Sequence, residues 1–281
     1  MRLATWNVNS VKARLPRLLD WLADKEPDIV CLQETKCPAD GFPAREVAAL
    51  GYATAAHGDG RWNGVAVLSR IGLEDVSPGF PGEPGFDSAK GTVTVTPEPR
   101  AVGATCGGLR VWSIYAPNGR TLDSPHYTYK LAWFAAFGEA VRAELRAGRA
   151  VVACGDFNVA PTDADVGGSG RIRQVHPRPR PRMFHKNVTP PLPEGSGFSL
   201  SPAGVGDGQA LPVSNKETIT GKRFPCRVNA AIPSLDLMGM RIDLVYAAAG
   251  VADRVRSAYV DREARKGKGP SDHAPVVVDL D

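Results

Sequence analysis

Extended-type runs crowd this chain, and helical ones are scarce. "RLATWNV" (residues 2–8), "DIVCLQE", "YATAAHG", "GVAVLSR", "GTVTVTP", "LRVWSIYAPNG", "AVVACGDFN", "RIDLVYAA" and "HAPVVVDL" are short, apolar and bounded by Gly, Pro or Asn. Two stretches carry a helical period. In "VKARLPRLLDWLADKE" Leu15, Leu18, Leu19 and Leu22 share one face, and "SPHYTYKLAWFAAFGEAVRAELRAG" ends at Gly148, a natural C-terminal cap. Strands this numerous, many of them sequence neighbours with no helix between, favour two packed sheets flanked by helices over one parallel sheet. With 281 residues and 43% apolar content, one hydrophobic core can serve the whole chain, so a single domain over 1–281 is expected.

Residues 167–238 break this grammar. They are rich in Pro, Gly and Arg, have few periodic apolar positions, and offer only weak strand candidates such as "GFSLS". The "GVGDG" there lacks the GK[ST] of a nucleotide loop, and Ser196 in "GSGF" lacks the strand and helix of a nucleophile elbow. This segment predicts no core.

The informative pattern is what stands at the ends of the apolar runs. Asn7 follows "LATW", Glu34 follows "DIVCLQ", Tyr115 follows "VWSI", and Asp156 and Asn158 follow "VVACG". Asp243 heads "DLVY", and Asp272 with His273 heads "APVVV". Singly, each has a structural reading: an Asn after a strand is ordinarily a turn residue, Glu34 could be a helix N-terminal charge, and the Asp272-His273 pair could form a turn. Jointly, six such accidents at strand ends are improbable. If sheet order brings these ends to one rim, the rim suits a hard divalent cation and a phosphate.

Each residue type has its own chemical reason. Mg²⁺ takes oxygen ligands in octahedral geometry and keeps several waters, so one or two carboxylates such as Glu34 suffice and substrate phosphate completes the shell. The bound cation neutralises charge on the phosphoryl and leaving oxygens. Asn7 and Asn158 are neutral donors able to hold a phosphate without repelling it. His273 with Asp243 can form the pair in which a carboxylate fixes an imidazole's tautomer and orientation. Asp156 remains as acid or base for an attacking water.

The formal net charge is +4, a mild basic excess compatible with an anionic partner. Lys266 and Lys268, in "REARKGKGP", are candidate phosphate contacts that position a duplex without reading it. The five cysteines (Cys31, Cys37, Cys106, Cys154, Cys226) form no CxxC pair, which suits a reducing compartment. The N-terminus has no signal-peptide h-region, and no window approaches the roughly 18 apolar residues of a membrane span. A soluble cytoplasmic protein without a membrane partner is expected.

"WNVNS", "LQETK", "WNGVAVLSR", "IYAPNG", "GDFNVAPTDADV", "GMRIDLVYA" and "KGPSDHAPVVVDL", in this order, resemble the exonuclease III family of Mg²⁺-dependent apurinic/apyrimidinic endonucleases. The resemblance covers residues 1–166 and 239–281. It implies an α+β fold, a four-layer αββα sandwich of two mainly antiparallel sheets, and a monomer that cuts double-stranded DNA beside abasic sites and trims blocked 3′ ends. It implies Mg²⁺, with Mn²⁺ as the alternative, held by Glu34 with Asn7 and Asp272 nearby, in a rim that also includes Asp156, Asn158 and His273. It further implies that Asp156 activates water, that Asn158 and Tyr115 hold the phosphate, and that Asp243 holds His273. Two rivals share the rim: a superfamily phosphodiesterase or phosphatase acting on lipid or inositol phosphates, and a catalytically weak DNA-binding remnant.

The chain departs from the family pattern between "DADV" and "GMRID". The family's aromatic strand of the type FTWWDYR, which packs against the abasic sugar, has no counterpart here, and "MFHKN" stands some fifty residues away from "GMRID". A one-nucleotide frame shift would account for part of this. "SGRIRQVHP" (169–177) can be encoded so that the next frame reads Pro-Ala-Ala-Phe-Val-Arg-Ser-Thr-His, similar to the family's continuation after "DADV". A natural basic insertion is the rival explanation. Either way, the expectation is salt-sensitive duplex binding with weak discrimination of abasic sites and slow turnover.

Overall fold

The computed structural model describes residues 1–60, 62–161, 208–210 (backbone only) and 241–281. Its architecture grows from period-two alternation. In β1 (Arg2–Asn7), Ala4 and Trp6 face outward into one apolar cluster, while Leu3 faces the opposite sheet, followed on that inner face by Thr5 and Asn7. β2 (Ile29–Gln33) repeats this, with Val30 and Leu32 outward and Ile29 and Cys31 inward.

These two strands are parallel neighbours at the centre of a six-stranded sheet that also holds β3 (Ala53–His57), β4 (Val65–Ser69), β13 (Val255–Val260) and β14 (Val276–Leu280). The strand order is 13-14-1-2-4-3. The second six-stranded sheet runs 11-12-10-9-8-5. It comprises β5 (Glu74–Pro78), β8 (Ala101–Cys106), β9 (Leu109–Tyr115), β10 (Ala150–Asp156), β11 (Gly208–Ala210) and β12 (Asp243–Ala248). There β9 and β10 are the parallel pair, and the other pairings in both sheets are antiparallel. A short hairpin of β6 (Gly85–Asp87) and β7 (Thr92–Thr94) stands apart from both.

The inner faces meet in an apolar layer that includes Leu3, Cys31, Val67, Val111, Val152 and Val278. Outside one sheet, α1 (Val11–Lys25) buries Val11, Leu18, Trp21 and Leu22 against Trp6 and Leu32. Outside the other, α3 (Pro125–Arg146) packs Trp133, Phe134 and Phe137 against Trp112 and Ile114, and a short α2 (Ala44–Ala48) joins the α1 side. The result is the four-layer αββα sandwich expected from the motifs. Each fully buried side chain of this size contributes about 1.5–3 kcal/mol.

Local chemistry sets the helix ends. Ser10 and Ser124 cap α1 and α3 by accepting from Ala13 N and His126 N, Pro125 opens α3, and Gly148, with φ 75°, follows its C-cap. The α1 face differs from the leucine stripe: Trp21 and Val11 are buried, while Leu15 and Leu19 are half-buried.

Strand assignments shift at β7 and β8, and β5 and β13 lie outside the runs read as extended. "GTVTVTP" contributes only β7 of the hairpin, and the sheet strand is instead "AVGATC", β8. Its small residues hid it from a propensity reading. At Gly103 packing requires the small residue, because a Cβ there would lie 2.8 Å from the Trp112 ring. Of the atypical segment, the described part is β11, which pairs antiparallel with β12. The expected "GFSLS" strand and the frame-shifted stretch lie outside the described residues.

Candidate active site

The inner faces change character toward one edge of the sandwich. Above the apolar layer, Gln33 Nε2 donates to Thr5 Oγ1 (3.0 Å) and, across the sheets, to Ser113 Oγ (3.1 Å), whose hydroxyl donates to Leu32 O (3.0 Å). This buried polar belt is internally satisfied, as burial requires. Two residues further along the same faces stand Asn7 and Tyr115, with Asp156 beside Tyr115. Register places Asp156 opposite Tyr115 of β9 on one side and Asp243 of β12 on the other. Strand ends from both sheets therefore share one rim.

Asn7 joins the sheets. Its Nδ2 donates to Glu34 Oε1 (2.9 Å) and to Asp156 Oδ2 (3.0 Å), and its Oδ1 accepts from Asn9 N (3.0 Å), which fixes the amide orientation. Asp156 also accepts from Asn158 N at Oδ1 (2.9 Å). His273 Nδ1 lies 2.6 Å from Asp243 Oδ2, and its Nε2 lies 3.9 Å from Asp156 Oδ2. That gap is too long for a hydrogen bond, so both atoms are left to address a third group. Ser271 holds the approach by donating to Asn7 O (2.6 Å) and accepting from His273 N (3.2 Å).

Asp272 enters through a chain of contacts. Asn9 Nδ2 donates to its Oδ1 (3.0 Å), while Lys36 Nζ donates to Asn9 Oδ1 (2.6 Å) and pairs with Glu34 Oε2 (2.8 Å). Asn158 is bonded on both sides of its amide: Nδ2 donates to Ala116 O (2.9 Å), and Oδ1 accepts from Asn118 Nδ2 (3.1 Å). Lys266 and Lys268 are not brought to this cluster. Both are exposed, and Lys266 pairs with Glu263 (2.7 Å).

Burial and neighbours set the charges. Burial raises the Asp156 carboxyl, the Asp243 charge adds to this, and His273 with the donors Asn158 and Asn7 offsets part of it. Burial works to lower His273, but the charge and hydrogen bond of Asp243, then the charges of Asp156 and Asp272, raise it overall and favour the imidazolium. Burial works to raise Glu34, yet hydrogen bonds from Asn7 and Lys36 hold it below the usual carboxylate range. Burial, reinforced by the charges of Glu34 and Asp156, pushes the Tyr115 phenol up and keeps it a donor, with Arg100 opposing.

The donor set fits a hard divalent cation. Asp156, Asp243 and His273 each bring a ligand atom within 4.8 Å of the others, and Asp243 Oδ1 is buried with no hydrogen-bond partner among the described residues. Nδ1 of His273 is already engaged by Asp243, so Glu34, ionised and at the open side, is the stronger oxygen donor.

Several residues at this rim escaped the sequence reading. Asn9, Lys36 and Asn118 lie inside motifs already quoted and could have been found there. Arg100 and Lys130 carried no signal. Arg100 lies over the Tyr115 ring (5.1 Å), donates to Tyr115 O (3.3 Å) and pairs with Glu98 (2.8 Å), so it holds the tyrosine from behind. Burial pushes the Lys130 ammonium down to about 8, with Asp156 opposing the shift.

Residues 4–273 match the model of the Endonuclease/Exonuclease/phosphatase family. The chain belongs to that family. Among family relatives it is 26% identical to exodeoxyribonuclease III of Haemophilus influenzae, over 98% of both chains. It is 28% identical to the DNA repair nuclease APEX1 of Danio rerio, over 59% of this chain and 51% of that protein. Its fold is similar to that of the 3′ phosphatase NExo from Neisseria bound to product DNA hairpin, with TM-score 0.77 and 31% identity over 100% of this chain and 99% of that one. It is also similar to an AP endonuclease from Archaeoglobus fulgidus, with TM-score 0.75, 28% identity and the same coverage. The exonuclease III resemblance and the α+β sandwich of the family are thereby borne out.

Proposed function

We propose that this chain is a Mg²⁺-dependent DNA-repair phosphodiesterase that hydrolyses the backbone of double-stranded DNA at abasic sites and trims blocked 3′ ends. One observation carries the reading. The Asn7 amide ties Glu34 of one sheet to Asp156 of the other, while His273 Nε2 stands 3.9 Å from the same Asp156 oxygen. A carboxylate for a cation, a carboxylate for a proton and an imidazolium for an anion thus converge on one point. The repair nucleases and the DNA-bound phosphatase among its relatives support DNA as the substrate over lipid or inositol phosphate.

In this mechanism Glu34, with Asp272 linked to it through Asn9 and Lys36, would hold the cation. When bound, Mg²⁺ supplies charge neutralisation at the phosphoryl and leaving oxygens. Asp156 accepts the proton of the attacking water, a role its raised affinity for protons suits. Asn7 orients that carboxylate through Nδ2. His273, fixed through Nδ1 by Asp243, turns Nε2–H toward the phosphate. Tyr115 donates its phenol to a phosphate oxygen, and Asn158 presents the neutral amide beside it. Trp62, 74% exposed, lies next to Asn63, whose carbonyl bonds Lys36 N at the rim (3.1 Å), and offers a stacking face to a base.

The family strand that walls a flipped abasic nucleotide has no sequence counterpart in residues 167–238, which lie outside those described apart from the backbone of β11. The test is to incubate purified protein with a single-abasic-site duplex, with a 3′-phosphorylated duplex and with an inositol phosphate, each in Mg²⁺ and in EDTA. Cleavage of DNA in Mg²⁺ alone is expected. Turnover of the inositol phosphate without DNA cleavage would place the chain with the other branch of its family.

A further inference from the structure

Lys130 lies on the buried face of α3 at 6% exposure. Its ammonium reaches no carboxylate among the described residues. It donates instead to the carbonyl oxygens of Asn158 (2.7 Å) and Asn118 (3.3 Å). Those two residues are already joined side chain to side chain (3.1 Å), and Asn158 N holds Asp156 (2.9 Å). One lysine therefore clamps the loop after β9 to the loop after β10, directly behind the amides that line the rim. The passage is shaped for it, since Gly119 has φ 83° and a Cβ there would stand 2.7 Å from Lys130 Cδ.

Two carbonyl bonds alone do not call for a cation. A neutral amide could make them without the several kcal/mol that burying an ammonium costs. A positive charge does what an amide cannot: in a low-dielectric surround it acts beyond hydrogen-bond range on the anion in front of it. We propose that Lys130 is a positioning residue for phosphoryl transfer, clamping Asn118 and Asn158 and placing a buried positive charge behind the reacting phosphate. This rests on the phosphodiesterase reading above.

Three variants test it. Lys130→Gln keeps donor capacity and loses the charge, Lys130→Arg keeps the charge, and Lys130→Met loses both. On the DNA substrates above, Lys130→Gln should lower kcat about 10- to 100-fold, as loss of a group that orients active-site ligands typically does, with KM within about threefold and Tm little changed. Lys130→Arg should recover most of the rate. A glutamine variant at wild-type kcat, a loss confined to KM, or an arginine variant no better than glutamine would overturn the charge role. The clamp has a readout independent of turnover: the side-chain amide resonances of Asn118 and Asn158 should shift in Lys130→Met, and unchanged resonances overturn it. A wild-type protein inactive on DNA contradicts the functional reading instead, and the resonances still decide the clamp.

Discussion

His273 and Asp243 meet at 2.6 Å, from Nδ1 to Oδ2, with both side chains buried. The contact fixes which imidazole nitrogen faces the rim. Asp243 heads β12 while His273 precedes β14, so the bond also ties the two sheets together above their shared core.

Replacing Asp243 with Asn should therefore damage catalysis more than stability. An amide can present its NH₂ to Nδ1 and favour the wrong tautomer, and it removes the charge that favours the imidazolium. A fall in kcat of about 10²–10⁴-fold is expected, with the fold retained by circular dichroism. A near-wild-type rate would remove the pair from the mechanism.

Glu34→Gln should act on the cation rather than on the proton. The variant keeps the Oε1 that accepts from Asn7 but loses the ionised carboxylate that Lys36 and Asn7 hold below the usual range. A titration of rate against Mg²⁺ should need about tenfold more metal for half-maximal activity. An unchanged titration would exclude Glu34 as the principal ligand.

Away from the rim, Glu83 makes folding pH-dependent. It is 6% exposed, accepts from Trp133 Nε1 (2.9 Å) and Phe80 N (3.3 Å), and burial pushes its carboxyl up to about 7 from an ordinary 4.5. Because the folded value is the higher one, its stabilising contribution is complete below about 4.5 and is lost as pH rises through about 7. The loss is on the order of 3 kcal/mol. Melting curves between pH 5 and 8 should fall less steeply for Glu83→Gln than for wild type. Parallel slopes would show that Glu83 does not carry the dependence.

The rim was legible because strand alternation is a local signal. Once a run is recognised as a strand, Asn7, Tyr115 and Asp156 must share a face with Leu3, Val111 and Val152, four positions back, and polar side chains there have no packing purpose. Their mutual distances were not legible, since Asn7 and Asp156 are 149 residues apart and meet only through the stacking of two sheets. Lys130 was hidden for a related reason: a lysine in a helix reads as solvated, and only the tertiary crossing of α3 over the two loops buries it. β8 was hidden because Gly103 is small to accommodate Trp112, a pairing no window of "AVGATC" contains. Of the polar belt of Thr5, Gln33 and Ser113, only Gln33 lies in a quoted motif, "LQETK", although the belt marks where the apolar layer ends.

Asp156 is the point on which the account turns, and Asp156→Asn tests it most directly. The substitution preserves shape and removes the proton acceptor. Rates of Mg²⁺-dependent cleavage of an abasic-site duplex should be measured for wild type and variant, alongside the dissociation constant of the same duplex. The expected result is a loss of about 10²-fold or more in rate with DNA affinity nearly unchanged. A variant that keeps more than about a tenth of the wild-type rate would contradict the claim that Asp156 activates the attacking water.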